Sequence, residues 1–137
     1  MRVVLDTNIW LSAVFWKGEA SKVIESCATK KIELVITENI VSEIVEIVNR
    51  EAKFQKFIKN LKESVEELVR TILSIATLIE TQSKIELIKD HPKDNMILEA
   101  ALDGKADYII SYDKHLRSML QFNKIKIITP TDFLKFI

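Results

Sequence analysis

The fold is decided by residues 107–113, which read Asp107-Tyr108-Ile109-Ile110-Ser111-Tyr112-Asp113. A short apolar run of this kind, rich in β-branched and aromatic residues, predicts a buried strand that ends at an acid. The chain opens in the same way, with Met1-Arg2-Val3-Val4-Leu5 followed by Asp6. In a doubly wound parallel sheet the carboxyl ends of the strands lie at one edge, where ligands bind. Asp6 and Asp113 are therefore expected to lie close together.

Short β-branched runs alternate with helical patterns along the chain, which predicts an α/β fold: a three-layer α/β/α domain around a mainly parallel, twisted sheet. The expected strands are 2–5, 33–36, 76–80, 107–111 and 125–129, and the expected helices are 8–16, 19–30, 38–50, 54–74, 95–103 and a last one after Pro130. Thr37 is the expected N-cap of helix 38–50, and Gly104 is expected to end helix 95–103. Residues 54–74 are predicted to form one long amphipathic helix, because apolar residues recur at three-four spacing.

The composition fits one domain, residues 1–137, with twenty basic and twenty acidic side chains. Global charge therefore neither attracts nor repels nucleic acid, and contact with a polyanion requires local segregation of charge. The single cysteine, Cys27, lies at helical spacing with apolar neighbours, which predicts a buried free thiol. Asp6 interrupts the first apolar run too early for a signal peptide or a membrane span, so a cytoplasmic protein without membrane contact is expected.

Two further acids are candidates for the same edge of the sheet. Asp94 directly precedes helix 95–103, so it is either an N-cap or a ligand. Glu43 lies in helix 38–50 at roughly 110° from the centre of the apolar stripe, whereas Glu46 lies at roughly 170° and points to solvent. Each acid alone is compatible with a structural role. Four carboxylates at one edge are typical of a site for a hard cation such as Mg²⁺ or Mn²⁺.

Polar residues beside these acids are candidates for supporting hydrogen bonds. Thr7, Asn8 and Ser111 are placed to bond a carboxylate or a metal-bound water, and Asp90 is a weaker candidate for that role or for a turn. His91 and His115 lack cysteine partners and H-x-x-x-H spacing, so zinc is not expected and both are interpreted as exposed. The basic face Lys53–Lys62, which precedes the acidic residues Glu63, Glu66 and Glu67, is either solvated or in contact with phosphates.

The sequence resembles the PIN-domain nucleases over nearly its whole length, and among them the small stand-alone toxins of toxin-antitoxin pairs. Residues 4–8 (V-L-D-T-N) are similar to the family's opening motif, and residues 37–43 to its strand-to-helix segment ending in Glu. Residues 90–95 are similar to its D-x-P-x-D-N turn, residues 106–116 to its A-D-Y-I-(V/I)-(S/T)-x-D-K-x-L segment, and residues 128–133 to its terminal T-P-x-(E/D)-F.

This resemblance implies that Asp6, Glu43, Asp94 and Asp113 form a pocket for one or two Mg²⁺ or Mn²⁺ ions. The three aspartates are then direct ligands, and Glu43 is a ligand or a water-positioning base. The implied activity is metal-dependent cleavage of single-stranded or structured RNA.

Two positions depart from the family's pattern. Many members carry Gly where this chain has Tyr112, whose ring either narrows the approach or stacks on a base. Asn95 stands where some relatives have another acid, which weakens a second metal position and leaves Asn95 as a polar neighbour of the site.

The family resemblance also implies a cognate antitoxin that covers the acidic edge with a basic side chain. Helices 38–50 and 54–74 carry more apolar surface than one side of a small sheet readily covers. An exposed patch used for a homodimer and for an antitoxin segment is therefore expected. The alternative is that both helices pack on each other and on the sheet in a monomer.

Two other functions compete with the nuclease hypothesis. A phosphohydrolase of the haloacid dehalogenase type would use Asp6 as a nucleophile, but it typically needs an acid two residues later, where this chain has Asn8. A non-catalytic regulatory binding module would use the acids to hold a partner. Metal-dependent hydrolysis distinguishes the nuclease from that module.

Overall fold

The structure is a computed structural model that describes residues 1–60 and 64–137. Its strands are β1 (Arg2–Leu5), β2 (Glu33–Thr37), β3 (Ala76–Ile79), β4 (Tyr108–Ile110), β5 (Gln121–Phe122) and β6 (Ile125–Ile128). Its α-helices are α1 (Thr7–Phe15), α2 (Glu19–Thr29), α3 (Glu38–Arg50), α4 (Ala52–Asn60), α5 (Val65–Ile75), α6 (Asn95–Asp103), α7 (Lys114–Arg117) and α8 (Pro130–Phe136). A 3₁₀ turn, Pro92–Asp94, precedes α6.

The strands form one sheet in the order β3-β2-β1-β4-β6-β5, parallel throughout except for the β5–β6 pair. Val3, Val4 and Leu5 are fully buried. Because successive strand residues face opposite sides, helices must cover both faces of the sheet. The predicted α/β fold is confirmed, and the five predicted strands are correct to within one residue at each end.

The prediction of one long helix over 54–74 is wrong. Ser64 has extended backbone dihedrals and its hydroxyl accepts a hydrogen bond from the Glu67 backbone N–H at 3.1 Å, so it is the N-cap of α5. Ser64 and Glu67 form a capping-box sequence, S-x-x-E, which specifies a helix start inside the apolar periodicity. Leu61, Lys62 and Glu63, which the prediction included, lie outside the described residues.

Residues 82–88 run along α6 without regular secondary structure, held by three polar side chains of that helix. The Asp103 carboxylate accepts from the backbone N–H groups of Gln82 and Ser83 at 2.8 and 2.9 Å. The Glu99 carboxylate accepts from the Ile85 N–H at 2.8 Å, and the Asn95 amide bonds both the N–H and the C=O of Ile88. Positions 95, 99 and 103 lie on one helical face at four-residue spacing. They fix the segment that leads into the turn before Asp94.

Gly104 ends α6, as predicted, but for a steric reason. Its φ of −83° is not left-handed, so the helix end does not use the conformational freedom of glycine. A Cβ at this position would lie 2.7 Å from the Ala100 carbonyl oxygen and 2.8 Å from Ile79 Cδ1. Glycine therefore allows close packing of α6 against the sheet.

The buried residues form one continuous core. Cys27 is a buried free thiol, as predicted, and burial raises its pKa to about 11. None of the helices in the two described ranges is long and apolar enough to cross a membrane.

Candidate metal centre

Asp6 follows β1 and begins α1. One carboxylate oxygen accepts from the Ile9 N–H at 2.9 Å, and the other accepts from the Ser111 hydroxyl. Asp6 is only 5% exposed, so both oxygens are held in a nearly dry environment. Asp6 is therefore the N-cap of α1, and its role as a metal ligand stays a prediction.

Asp113 follows β4, the neighbour of β1 in the sheet. Its carboxylate caps the short helix α7 by accepting from the His115 N–H at 2.7 Å. The Ser111 hydroxyl, which donates to Asp6, also accepts from the Asp113 backbone N–H at 2.9 Å. Ser111 is fully buried and thus connects the two strand ends through one hydroxyl group.

Asp94 lies at the start of α6 but makes no capping hydrogen bond with its side chain. Its Oδ2 atom is buried and has no hydrogen-bond partner among the described residues. A buried carboxylate oxygen without a donor is destabilising unless another group satisfies it. A hard cation is one such group.

Glu43 lies on α3 where helical phase predicts it, half-buried at the border of the apolar face, while Glu46 is exposed. The Thr7 hydroxyl donates to Glu43 Oε2 at 3.0 Å, which connects α1 to α3. Glu46 instead pairs with Arg50 and Lys93 at the surface. Only Glu43 of the two is turned towards the start of α1.

The carboxylates influence one another's ionisation. Burial, together with the charges of Asp113 and Asp94, raises the pKa of Asp6 to about 6, although the hydrogen bonds from Ser111 and Ile9 oppose the shift. Burial, followed by the charge of Asp113, raises the pKa of Asp94, and Glu43 acts in the same direction. Negative charge concentrated in this way is costly without a cation.

The side chains are nevertheless not arranged as a complete ligand set. Across residues 1–60 and 64–137, no three acidic, histidine or cysteine side chains are grouped so that they could hold a metal ion together. Mg²⁺ typically keeps several waters and takes only one or two protein carboxylates. The oxygen donors suit such a hydrated ion, and direct coordination by three aspartates remains a prediction.

Two histidines at this edge were interpreted separately in the sequence but contact each other in the structure. The ring centroids of His91 and His115 are 3.9 Å apart. Both lower the pKa of Asp94, against the larger effect of burial. The sequence could have predicted that the two histidines meet, because each lies within three residues of a predicted site acid. His115 is half-buried rather than exposed.

The other predicted neighbours occupy different positions. Thr7 and Ser111 bond the candidate acids, whereas Asn8 and Asp90 are exposed. Asn95 is buried and directs its amide to Ile88, as described above. The exposed amide of Asn8 also offers no acid for the haloacid dehalogenase mechanism.

The predicted basic helix face begins on α4. Lys53, Lys56 and Lys59 are exposed, and Lys53 pairs with Glu51 and lies over the rings of Trp16 and Phe54. Lys62 lies outside the described residues.

These features define an α/β domain in which Asp6 and Asp113 follow the carboxyl ends of two adjacent parallel strands. Two solved structures have a similar fold, and each covers nearly the whole chain. One is VapBC2 from Rickettsia felis bound to a DNA fragment from its promoter, with a TM-score of 0.63, 14% identity, and coverage of 93% of this chain and 97% of that chain. The other is VapBC-1 from nontypeable Haemophilus influenzae, with a TM-score of 0.58, 15% identity, and coverage of 96% and 99%.

A PIN domain family model matches residues 2–115, a range that includes all four candidate acids. The chain belongs to the PIN-domain family. No curated protein sequence matches the chain.

Proposed function

We propose that the chain is a metal-dependent endoribonuclease that cleaves single-stranded RNA and acts as the toxin of a toxin-antitoxin pair. The observation that carries the proposal is the buried Oδ2 of Asp94, which has no hydrogen-bond partner in the described part of the chain. Asp94 lies close enough to Asp6, Asp113 and Glu43 for their charges to interact. Membership of the PIN-domain family supports nuclease activity. The structural likeness to VapBC proteins supports a toxin-antitoxin role.

Asp6, Asp94 and Asp113 would hold Mg²⁺ or Mn²⁺, with Glu43 as a further ligand or a base, and a second ion would join only with the substrate. When bound, the ion supplies an acidified water and positive charge that favours a phosphate group. Ser111 keeps an oxygen of Asp6 oriented, and Thr7 keeps Glu43 at the border of the pocket. In this proposal Glu43 would position the attacking water or accept its proton.

The proposed partner is an antitoxin whose basic side chain reaches the acidic edge. A guanidinium group forms charge-assisted hydrogen bonds with carboxylates, and the concentrated negative charge here makes such a contact favourable in the absence of metal. This partner is tested by producing the chain together with the protein encoded by the neighbouring gene and measuring RNA cleavage. Full cleavage activity at saturating amounts of that product would contradict the inhibition.

The experiment for catalysis compares the wild type with Asp94→Asn on unstructured RNA in Mg²⁺, in Mn²⁺ and in EDTA. We expect the wild type to cleave only with metal. Asp94→Asn should lose most of that activity while keeping its fold, because Asn is nearly isosteric but lacks the charge. Asp132→Asn, an exposed acid on α8, is the matched control. Equal cleavage by Asp94→Asn and wild type excludes Asp94 as a ligand, and no cleavage by the wild type favours a non-catalytic binding module.

A further inference from the structure

Tyr112 is an exposed aromatic residue directly beside a candidate metal ligand. It lies between Ser111 and Asp113 after the carboxyl end of β4, and 49% of its surface is exposed. Its hydroxyl donates to Glu19 Oε2 at 2.7 Å, and the same oxygen accepts from the Thr131 hydroxyl. The ring is therefore tethered to the start of α2 and the start of α8 while much of it faces solvent.

Two cations follow the ring in the sequence. Lys114 and Arg117 are exposed on α7, and neither forms an ion pair within 4 Å with an acid in the described ranges. Arg117 Nη1 lies 3.5 Å from the Tyr112 carbonyl oxygen. By contrast, Lys53 and Lys93 each lie within 4 Å of an acid. Tyr112 and Lys114 therefore flank Asp113 in the sequence, and Arg117 lies three residues further along α7.

This combination matches the chemistry of single-stranded nucleic acid. Every nucleobase has a face that stacks on an aromatic ring, and stacking is sequence-tolerant. Lysine and arginine side chains contact the phosphates on either side of a base. A ring whose orientation is fixed before binding loses less conformational freedom when a base stacks on it. The alternative is that Tyr112 serves only to hold α2 and α8 through its hydroxyl. That role leaves the exposure of half of its surface without a function.

We propose that Tyr112 is a base-stacking subsite for the nucleotide next to the scissile phosphate, with Lys114 and Arg117 contacting the neighbouring phosphates. The proposal rests on the ribonuclease function proposed above and assigns its substrate-binding residues. Glu19 and Thr131 act as positioning residues, because they hold the ring through its hydroxyl.

The test is a double-mutant cycle between the ring and the nucleobase. The substrate is a short unstructured RNA that the wild type cleaves in Mn²⁺, together with a series in which each nucleotide near the cut is replaced in turn by an abasic one. In the wild type, one abasic position should raise KM by about 5- to 140-fold, the range expected for one stacked base. In Tyr112→Ala the intact RNA should bind that much more weakly, and the abasic replacement should cost nothing further.

Two variants separate stacking from a structural role. Tyr112→Phe keeps the ring but loses the bond to Glu19, so it should retain most of the coupling to the abasic position. Phe136→Ala removes a ring that is 48% exposed but packs on Tyr108, at the other end of β4. In this control, each abasic replacement should raise KM by the same factor as in the wild type. Thermal melting checks that each variant is folded.

The outcomes distinguish this proposal from the function on which it rests. If the wild type cleaves RNA but abasic replacements cost the same in wild type and Tyr112→Ala, the stacking subsite is wrong and the ribonuclease proposal stands. If the wild type cleaves no RNA under any metal condition, both proposals fall.

Discussion

Two features of Asp6 have opposite effects on stability: its capping hydrogen bond stabilises α1, and the burial of its charge is costly. Its folded pKa of about 6 lies above its ordinary value of 3.8, so the folded metal-free protein binds this proton more tightly than the unfolded chain. The contribution of Asp6 to stability is therefore largest below about pH 4 and is lost as the pH rises towards 6. Above that pH, a buried charge remains near Asp113 and Asp94.

Asp6→Asn should consequently be more stable than the wild type at neutral pH in EDTA. Asn keeps an oxygen for the Ile9 N–H but carries no charge, so the gain is at most about 3 kcal/mol, because each pKa unit corresponds to about 1.4 kcal/mol. Urea denaturation at acid and at neutral pH measures the difference in free energy of unfolding between Asp6→Asn and the wild type. This difference should grow from acid to neutral pH. A difference that shrinks with rising pH would contradict the raised pKa of Asp6.

Glu43 and Glu46 provide a matched pair on one helix. Glu43→Gln removes a carboxylate that Thr7 orients, so the rate of metal-dependent cleavage should fall by about 10²- to 10⁴-fold, the range for a general base. Glu46→Gln changes only surface ion pairs and should leave the rate within about twofold. Steady-state cleavage of the same RNA compares them. Equal losses in both variants would mean that general charge, rather than position, matters on α3.

Gly104 shows how one contact sets the packing of α6, the helix that carries Asp94. Gly104→Ala places a methyl group 2.7 Å from the Ala100 carbonyl oxygen. This oxygen belongs to the backbone, so relieving the clash requires a shift of the helix itself. We expect a loss of about 1–3 kcal/mol in the free energy of unfolding. Gly18→Ala is the control, because no atom lies within 4 Å of its added Cβ. Urea denaturation measures the free energy of unfolding of both variants. Equal losses in Gly104→Ala and Gly18→Ala would contradict the steric explanation.

Local signals in the sequence account for most of the elements. The β-branched runs gave the parallel strands, since burial on both faces leaves few polar positions. β5 was not predicted, because its connection to β6 is the turn Asn123-Lys124, in which both residues have positive φ. Asn is favoured in such a turn, but Lys in place of Gly removes the usual signal. The break at Ser64 was readable from its capping box, yet the apolar periodicity obscured it.

The candidate site was predictable where position follows from topology or helical phase. Asp6 and Asp113 follow adjacent parallel strands, and Glu43 follows from the angle between it and the apolar stripe of α3. Two other features depend on how segments distant in sequence pack together. One is that Asp94 Oδ2 has no hydrogen-bond partner among the residues that the structure describes. The other is the set of hydrogen bonds from residues 82–88 to Asn95, Glu99 and Asp103. No local pattern encodes those contacts, so Asn95 was interpreted as a neighbour of the metal.

The packing of α3, α4 and α5 bears on how two copies would associate. Phe54, Ile58, Leu68 and Ile72 are buried within the chain, so these helices cover much of their own apolar surface. Leu73 and Ile75 of α5 and Leu78 of β3 nevertheless remain 40%, 39% and 53% exposed. β3 is an edge strand, whose free side is a site for association unless it is protected.

We expect a two-fold symmetric dimer that buries Leu78 and the free side of β3, because an isologous interface pairs the same surface on both copies. Leu78→Lys places a charge on this edge strand and should shift the chain to a monomer, measured by sedimentation or light scattering at high micromolar concentration. Leu120→Lys changes a leucine that is 74% exposed on the connection between α7 and β5, so it should leave the dimer intact. A wild type that is monomeric at that concentration would contradict the dimer, and a dimer that survives Leu78→Lys would place the interface elsewhere.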